Sequence, residues 1–179
     1  MIFYTSDLHF GHGNAIDFDN RPFADVEEMD AQLIKNWNAK VCEEDEVYIL
    51  GDFAYRNKKP AEWYLQQLKG RKHLVIGNHD VVTLKNETAM EYFETVEKMQ
   101  HVADGGKHIC VCHFPMAEWN GSHRGSWHIY GHIHSTKAET YDFMKAKERA
   151  LNAGCMINNY APATLDELIQ NNRRFQEGM

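Results

Sequence analysis

At 179 residues, with 43% hydrophobic and 25% charged side chains, the chain has the length and make-up of one ordinary globular domain spanning residues 1–179. Its formal charge of −7 argues against a general nucleic-acid coat or a binder of anionic membranes, because a repelling field helps neither, while a local positive site is still allowed. Cys42, Cys110, Cys112 and Cys155 lack both C-x-x-C spacing and the density of a disulfide scaffold, and Asp7 interrupts the first apolar run, so a reduced, cytoplasmic setting with no membrane span is expected.

In chain order, Ile2-Phe3-Tyr4-Thr5 reads as a first buried strand, followed by a polar loop over 10–24. Val26, Met29, Leu33, Ile34 and Trp37 fall at helical spacing, and Asp25 with Glu28 forms an N-terminal capping pair, which predicts an amphipathic helix over 26–40. A second strand over 46–50 leads into a loop of Arg56, Asn57, Lys58 and Lys59, and Pro60 then opens a helix that Gly70 ends. A third strand over 72–76 precedes a short helix around 84–93.

The second half predicts strands over 95–102 and 107–113, joined by the turn Ala103-Asp104-Gly105-Gly106. A long loop over 114–126 precedes a strand at 127–130, and two further strands are expected around 138–144 and 151–157. Thr164 and Glu167 have capping-box spacing ahead of Leu165, Leu168, Ile169 and Phe175, so a helix closes the chain. Cys110 and Cys112 alternate with Ile109 and Val111 as small strand residues.

Five polar clusters each follow an apolar run: Asp7 and His9; Gly51-Asp52; Gly77-Asn78-His79-Asp80; His113; and His132 with His134. Taken alone, each is explained by an ordinary turn or a surface histidine. Together they share one context, since groups just past strand ends in an α/β sheet converge on one rim, and converging Asp, Asn and His side chains are what a divalent metal site is made of. Spacing supplies this candidate set without assigning any ligand to any one ion.

In these residues the chain resembles the calcineurin-like metallophosphoesterases, whose pattern Asp-x-His, Gly-Asp, Gly-Asn-His-Asp/Glu, His, Gly-His-x-His reads here as Asp7-Leu8-His9, Gly51-Asp52, Gly77-Asn78-His79-Asp80, His113 and Gly131-His132-Ile133-His134. One departure is Phe53-Ala54-Tyr55, where many relatives carry an acidic or amide residue soon after Gly-Asp. The resemblance implies a four-layer α/β/β/α sandwich with two divalent ions, one held by Asp7, His9, Asp52 and His134, the other by Asp52, Asn78, His113 and His132. Manganese stands first among the candidate metals, beside iron, zinc, nickel and cobalt. Such ions would keep net positive charge after Asp7 and Asp52 are counted, lower the pKa of water and hold phosphoryl oxygens for in-line attack.

The resemblance also makes His79 the group that assists the leaving oxygen, with Asp80 either orienting it or closing the turn. Arg124, His12 and Arg21 are candidate substrate contacts, because Arg suits bidentate phosphate binding and His12 sits just beyond His9. His73, His101, His108 and His128 lie in or beside strands, and Trp119 and Trp127 either wall the pocket or fill the core. The expected activity is hydrolysis of a small phosphodiester or nucleotide. Phosphomonoesterase and pyrophosphohydrolase are the alternatives, and a non-catalytic protein-binding scaffold on the same fold is a further one. The expected partner is a small phosphorylated molecule, with neither a membrane nor a stably bound nucleic acid.

Overall fold

In the computed structural model, which describes residues 1–56 and 58–178, two four-stranded sheets lie face to face. The first sheet contains β1 (Ile2–Thr5), β2 (Glu46–Ile49), β3 (Arg71–Val75) and β4 (Phe93–Glu97), in that order and all parallel. The second contains β5 (Met99–Asp104), β6 (Lys107–Cys112), β7 (Trp127–Tyr130) and β8 (Ala150–Asn152), with β5 antiparallel to β6 and the rest parallel. The helices are α1 (Asn14–Asp19), α2 (Val26–Lys40), α3 (Ala61–Leu65), α4 (Val81–Leu84), α5 (Glu87–Met90), α6 (Glu139–Lys145) and α7 (Leu165–Glu177).

Side chains of β1, β2 and the end of β3 alternate between two buried spaces, which is why those runs are largely apolar, whereas β4 at the sheet edge is mostly exposed. Phe3, Val47, Ile49 and Leu74 face the helices and meet Met29, Leu33 and Trp37 of α2. Tyr4, Leu50 and Val75 face the other way, against Ile109, Val111, Ile129 and Leu151 of the second sheet. A third, smaller cluster places Met144 of α6 with Tyr130 and Ala150 on the outer face of the second sheet. Those spaces separate the four layers of an α/β/β/α sandwich.

Both expected helix caps form. The Asp25 side chain accepts from the Glu28 N–H at 2.8 Å, and Thr164 with Glu167 closes a reciprocal capping box on α7. The β5–β6 turn narrows to Gly105 and Gly106, both at positive φ, as a two-residue hairpin turn requires. Among the described residues, no helix is long and apolar enough to cross a membrane.

Several boundaries differ from expectation. The strand expected over 95–102 is two strands, because the chain leaves the first sheet after Glu97 and joins the second at Met99. The segment 138–144 forms a helix: Tyr141 and Met144, three apart, are its buried side, with Glu139 and Asp142 in the first turn and Lys145 in the last. Of the strand expected around 151–157, only 151–152 falls in β8, and Cys155–Ile157 is a single 3-10 turn. The expected 60–70 helix stops at Leu65, the short helix around 84–93 is replaced by α4 and α5, and the loop over 10–24 contains α1. Asn57, expected in the loop before α3, lies outside the described residues.

Candidate metal centre

The chain segment after β1 runs beside the segment after β2, and this pairing builds the floor of the site. Asp7 N–H donates to Gly51 O, His9 N–H to Asp52 O and Phe10 N–H to Phe53 O, at 2.9–3.1 Å. The segment after β3 closes on the same place through glycine. Gly51 has φ of 81°, and a Cβ there would come within 2.6 Å of the Gly77 Cα, so the two turns touch only because both residues lack side chains.

Asp7, His9, Asp52, His132 and His134 all sit in the left-handed region, with φ of 55°, 53°, 54°, 70° and 52°. That conformation costs a non-glycine residue free energy, and it persists where surrounding contacts over-determine it, commonly at functional sites. Here it turns each side chain sharply out of its strand end toward one point.

The atoms that meet there are nitrogen and oxygen donors. His9 Nε2 lies 3.4 Å from His134 Nε2 and 3.7 Å from Asp52 Oδ2, and His134 Nε2 lies 3.7 Å from Asp7 Oδ1. Ligand atoms of Asp7, His9, Asp52 and His134 all fall within 4.8 Å of one another. On the other side of Asp52, its Oδ2 is also 3.7 Å from His113 Nε2, which is 3.0 Å from Asn78 Oδ1. The His132 ring centroid is 5.1 Å from that of His113. Asp52 therefore stands between two groups, with its Oδ1 accepting the His79 N–H at 2.8 Å.

Hydrogen bonds settle which ring nitrogens face the centre. His113 Nδ1 donates to Leu50 O at 2.7 Å, and His134 Nδ1 donates to the Asp19 carboxylate at 2.9 Å, which turns each Nε2 toward the site. Burial, first, and neighbouring His134 hold the His9 pKa down at about 2, so its imidazole is neutral. Burial pushes the Asp7 carboxyl upward. Two buried carboxyl groups, imidazole nitrogens and an amide oxygen, with no thiolate, form a donor set suited to divalent transition ions. A cation would also resolve the close approach of the His9 and His134 nitrogens. The residues fit such ions.

Asp7, His9, Asp52 and His113 make a buried floor, while Asn78 and His132 are exposed and His79 and His134 are partly so. His79 lies at the rim, its ring 5.6 Å from His9 and 4.2 Å from Tyr55. The Asp80 carboxylate does not orient it. That group is buried and accepts from the N–H groups of Asp52, Phe53 and Gly77, pinning the turn after β3 to the turn after β2. His12 is buried beside His9 and Tyr55, with ring centroids 5.5 and 4.9 Å away.

Arg21 is not a substrate contact. Its guanidinium is fully enclosed and donates to Asp7 O, Leu8 O and the Asp19 carboxylate at 2.8–3.0 Å, so it braces the floor from behind. Arg124 also falls outside the site: it lies just ahead of β7, in a groove with Lys107 and His108, at the opposite strand ends from His113 and His132. Trp119 packs on His128, and Trp127 packs between the sheets, so neither walls the centre.

Some site residues have no signal in the sequence. Asp19, at the end of α1, fixes the His134 ring, and Asn152 donates to His134 O at 2.7 Å while its own N–H donates to Asn172 of α7. Phe18 and Phe114, both exposed, flank the imidazoles of His134 and His132 at 5.5 and 4.7 Å. They border an open cleft of about 670 Å³ that also contains Asp19, His132 and His134.

Residues 1–165 match the calcineurin-like phosphoesterase superfamily domain, and the chain belongs to that family. It is a phosphoesterase of the metal-dependent hydrolase class, with an Asp and His cluster suited to divalent metal. The chain is 35% identical over 171 residues to an uncharacterized protein of Methanocaldococcus jannaschii, covering 94% of this chain and 89% of that one. It is 33% identical over 159 residues to the gene 66 protein of Mycobacterium phage L5, covering 74% and 76%. A protein of unknown function from Aquifex aeolicus has a similar solved structure, with a TM-score of 0.74 at 26% identity, covering 95% of this chain and 98% of that one.

Proposed function

We propose that the protein hydrolyses a small phosphodiester or nucleotide at two divalent ions, one held by Asp7, His9, Asp52 and His134 and the other by Asp52, Asn78, His113 and His132. Manganese is the first candidate, followed by iron, zinc, nickel and cobalt. The observation that carries this reading is the placement of Asp52 Oδ2, 3.7 Å from both His9 Nε2 and His113 Nε2, where one carboxylate oxygen serves both groups. When bound, such ions supply Lewis acidity and acidified water.

The protein's own groups do the rest. Asp19 and Leu50 O hold the His134 and His113 rings in one orientation, so each Nε2 faces inward before substrate arrives. The oxygen of a water that has lost one proton to solvent would bond to phosphorus as the ester P–O bond breaks, and His79 would give its ring proton to the departing oxygen and regain one from solvent. Phe18 and Phe114 offer apolar surface beside the centre, which favours an ester with an organic arm.

The test is turnover of bis-p-nitrophenyl phosphate and p-nitrophenyl phosphate by manganese-loaded protein. Faster cleavage of the diester supports the reading, and a preference for the monoester moves it to phosphomonoesterase. Failure to cleave either, or nucleoside polyphosphates, would leave a protein-binding scaffold as the better account.

A further inference from the structure

Next to the metal centre lies a second cavity, of about 610 Å³, which falls in the size range of small-molecule sites. Its walls are apolar and aromatic: Val26 and Ile34 from α2, and Trp63 and Tyr64 from α3. Trp63 and Tyr64 meet edge to face with ring centroids 5.0 Å apart; Tyr64 is buried against Phe10, and half-buried Trp63, with Lys59 Nζ 4.9 Å over its ring, gives the aromatic wall. Inside sits Asp30, which accepts from Gly11 N–H at 2.9 Å and from the Tyr64 hydroxyl. Burial pushes its carboxyl up to about 6, so it is poorly solvated and gains from added N–H donors.

Charge around the opening has the opposite sign to that of the whole chain. Lys35, Arg56, Lys58 and Lys59 border the cavity, against Glu27 and Asp30. Two sets of contacts join the cavity wall to the centre. Gly11 and Gly13 line it on either side of His12, whose ring is 5.5 Å from His9. Arg56 lies over the Tyr55 ring at 5.2 Å, and Tyr55 is 4.2 Å from His79. The cavity wall therefore adjoins His12 and Tyr55, the residues that flank His9 and His79.

We infer that this cavity binds the nucleoside arm of the substrate, a planar ring with N–H groups between Trp63, Tyr64 and Asp30, while Arg56 and Lys58 draw the attached phosphate toward the metal centre. A flat heteroaromatic ring matches the aromatic walls, its N–H groups match Asp30, and a phosphate matches the cationic rim. The assignment rests on the phosphoesterase reading above and narrows its substrate to a nucleotide ester. Ala31, exposed on α2 and lining the cavity, gives a way to fill it from the solvent side.

The experiment compares the p-nitrophenyl ester of adenosine 5′-monophosphate with methyl p-nitrophenyl phosphate on the metal-loaded protein. The nucleoside ester is expected to lead in kcat/KM by about tenfold or more, mostly through KM, and that ratio should collapse in Ala31→Trp and in Trp63→Ala. Melting curves identify any variant that fails to fold, leaving the other to decide. A ratio near one in the wild type, or one unchanged in a folded variant, overturns the assignment. If neither ester is cleaved, the phosphoesterase reading has failed on its own, and calorimetric titration with adenosine 5′-monophosphate decides the cavity. Saturable binding lost in Ala31→Trp supports it, and no binding by the wild type overturns it.

Discussion

His134 and Asp19, distant in sequence, are joined by a hydrogen bond of 2.9 Å from the imidazole Nδ1 to the carboxylate. Arg21 holds the same carboxylate at 2.8 Å and donates to the backbone oxygens of Asp7 and Leu8. Burial alone would raise the Asp19 carboxyl, but the bond to His134 and the charge of Arg21 keep it below the usual carboxylate range. One acidic side chain at the end of α1 thus couples the orientation of His134 to the floor beneath Asp7.

Replacing that carboxylate by an amide should weaken metal binding while the fold survives. For Asp19→Asn, affinity measured by chelator competition is expected to fall about 10–100-fold, the usual cost of losing a partner behind a ligating imidazole. Unchanged affinity would mean that His134 needs no such orientation, or is not a ligand.

His79 is at the rim and is not required in either donor group, so its loss should separate binding from chemistry. In His79→Ala, metal content should match the wild type while kcat falls about 10²–10⁴-fold, the range for a general acid. A variant with undiminished turnover removes His79 from the mechanism.

Stripping metal leaves buried Asp7 and Asp52 without counter-charge. Thorough chelation should therefore lower Tm, the lost stability being about 2.7 kcal/mol for an ion present at about 100 times its Kd. An identical melting curve, with elemental analysis confirming removal, would count against tight binding.

A second histidine makes stability depend on pH away from the centre. His128 is fully buried, donating from Nδ1 to Cys110 O at 3.0 Å and accepting the Met116 N–H at 3.1 Å, and burial holds its pKa down to about 4. Because an unfolded histidine titrates near 6.5, the unfolded chain takes the proton first as pH falls. The contribution is complete above about pH 6.5 and is lost toward pH 4, by about 3 kcal/mol at most. The difference in urea-unfolding free energy between wild type and His128→Gln should shrink across that window, and a constant difference from pH 7 to 4 would refute it.

Three strands of the first sheet are legible because both of their faces are buried, so Ile2–Thr5, Val47–Leu50 and Leu74–Val75 appear as largely apolar runs, while exposed β4 gives no such signal. The turn at Lys98 was not legible, since a strand's own residues do not say which sheet supplies its partner. The segment at Glu139 misled for a related reason: Tyr141 and Met144 are buried by the outer face of the second sheet, and a short apolar pattern fits either period until that surface is known.

By itself, the sequence determined the kinds of groups available, because Asp7, His9, Asp52, Asn78, His113, His132 and His134 carry their chemistry wherever they are placed. Only tertiary structure decided what those groups do together. The bond between His134 and Asp19 spans 115 positions and that between His113 and Asn78 spans 35, and such distances close only when strand ends from two sheets meet at one rim. The same packing turned Arg21 inward, from an apparent phosphate contact into a buried brace, because the carbonyls of Asp7 and Leu8 and the Asp19 carboxylate satisfy its guanidinium where no substrate reaches. It also carried Arg124 to the far strand ends and left Phe18 and Phe114 beside the cleft.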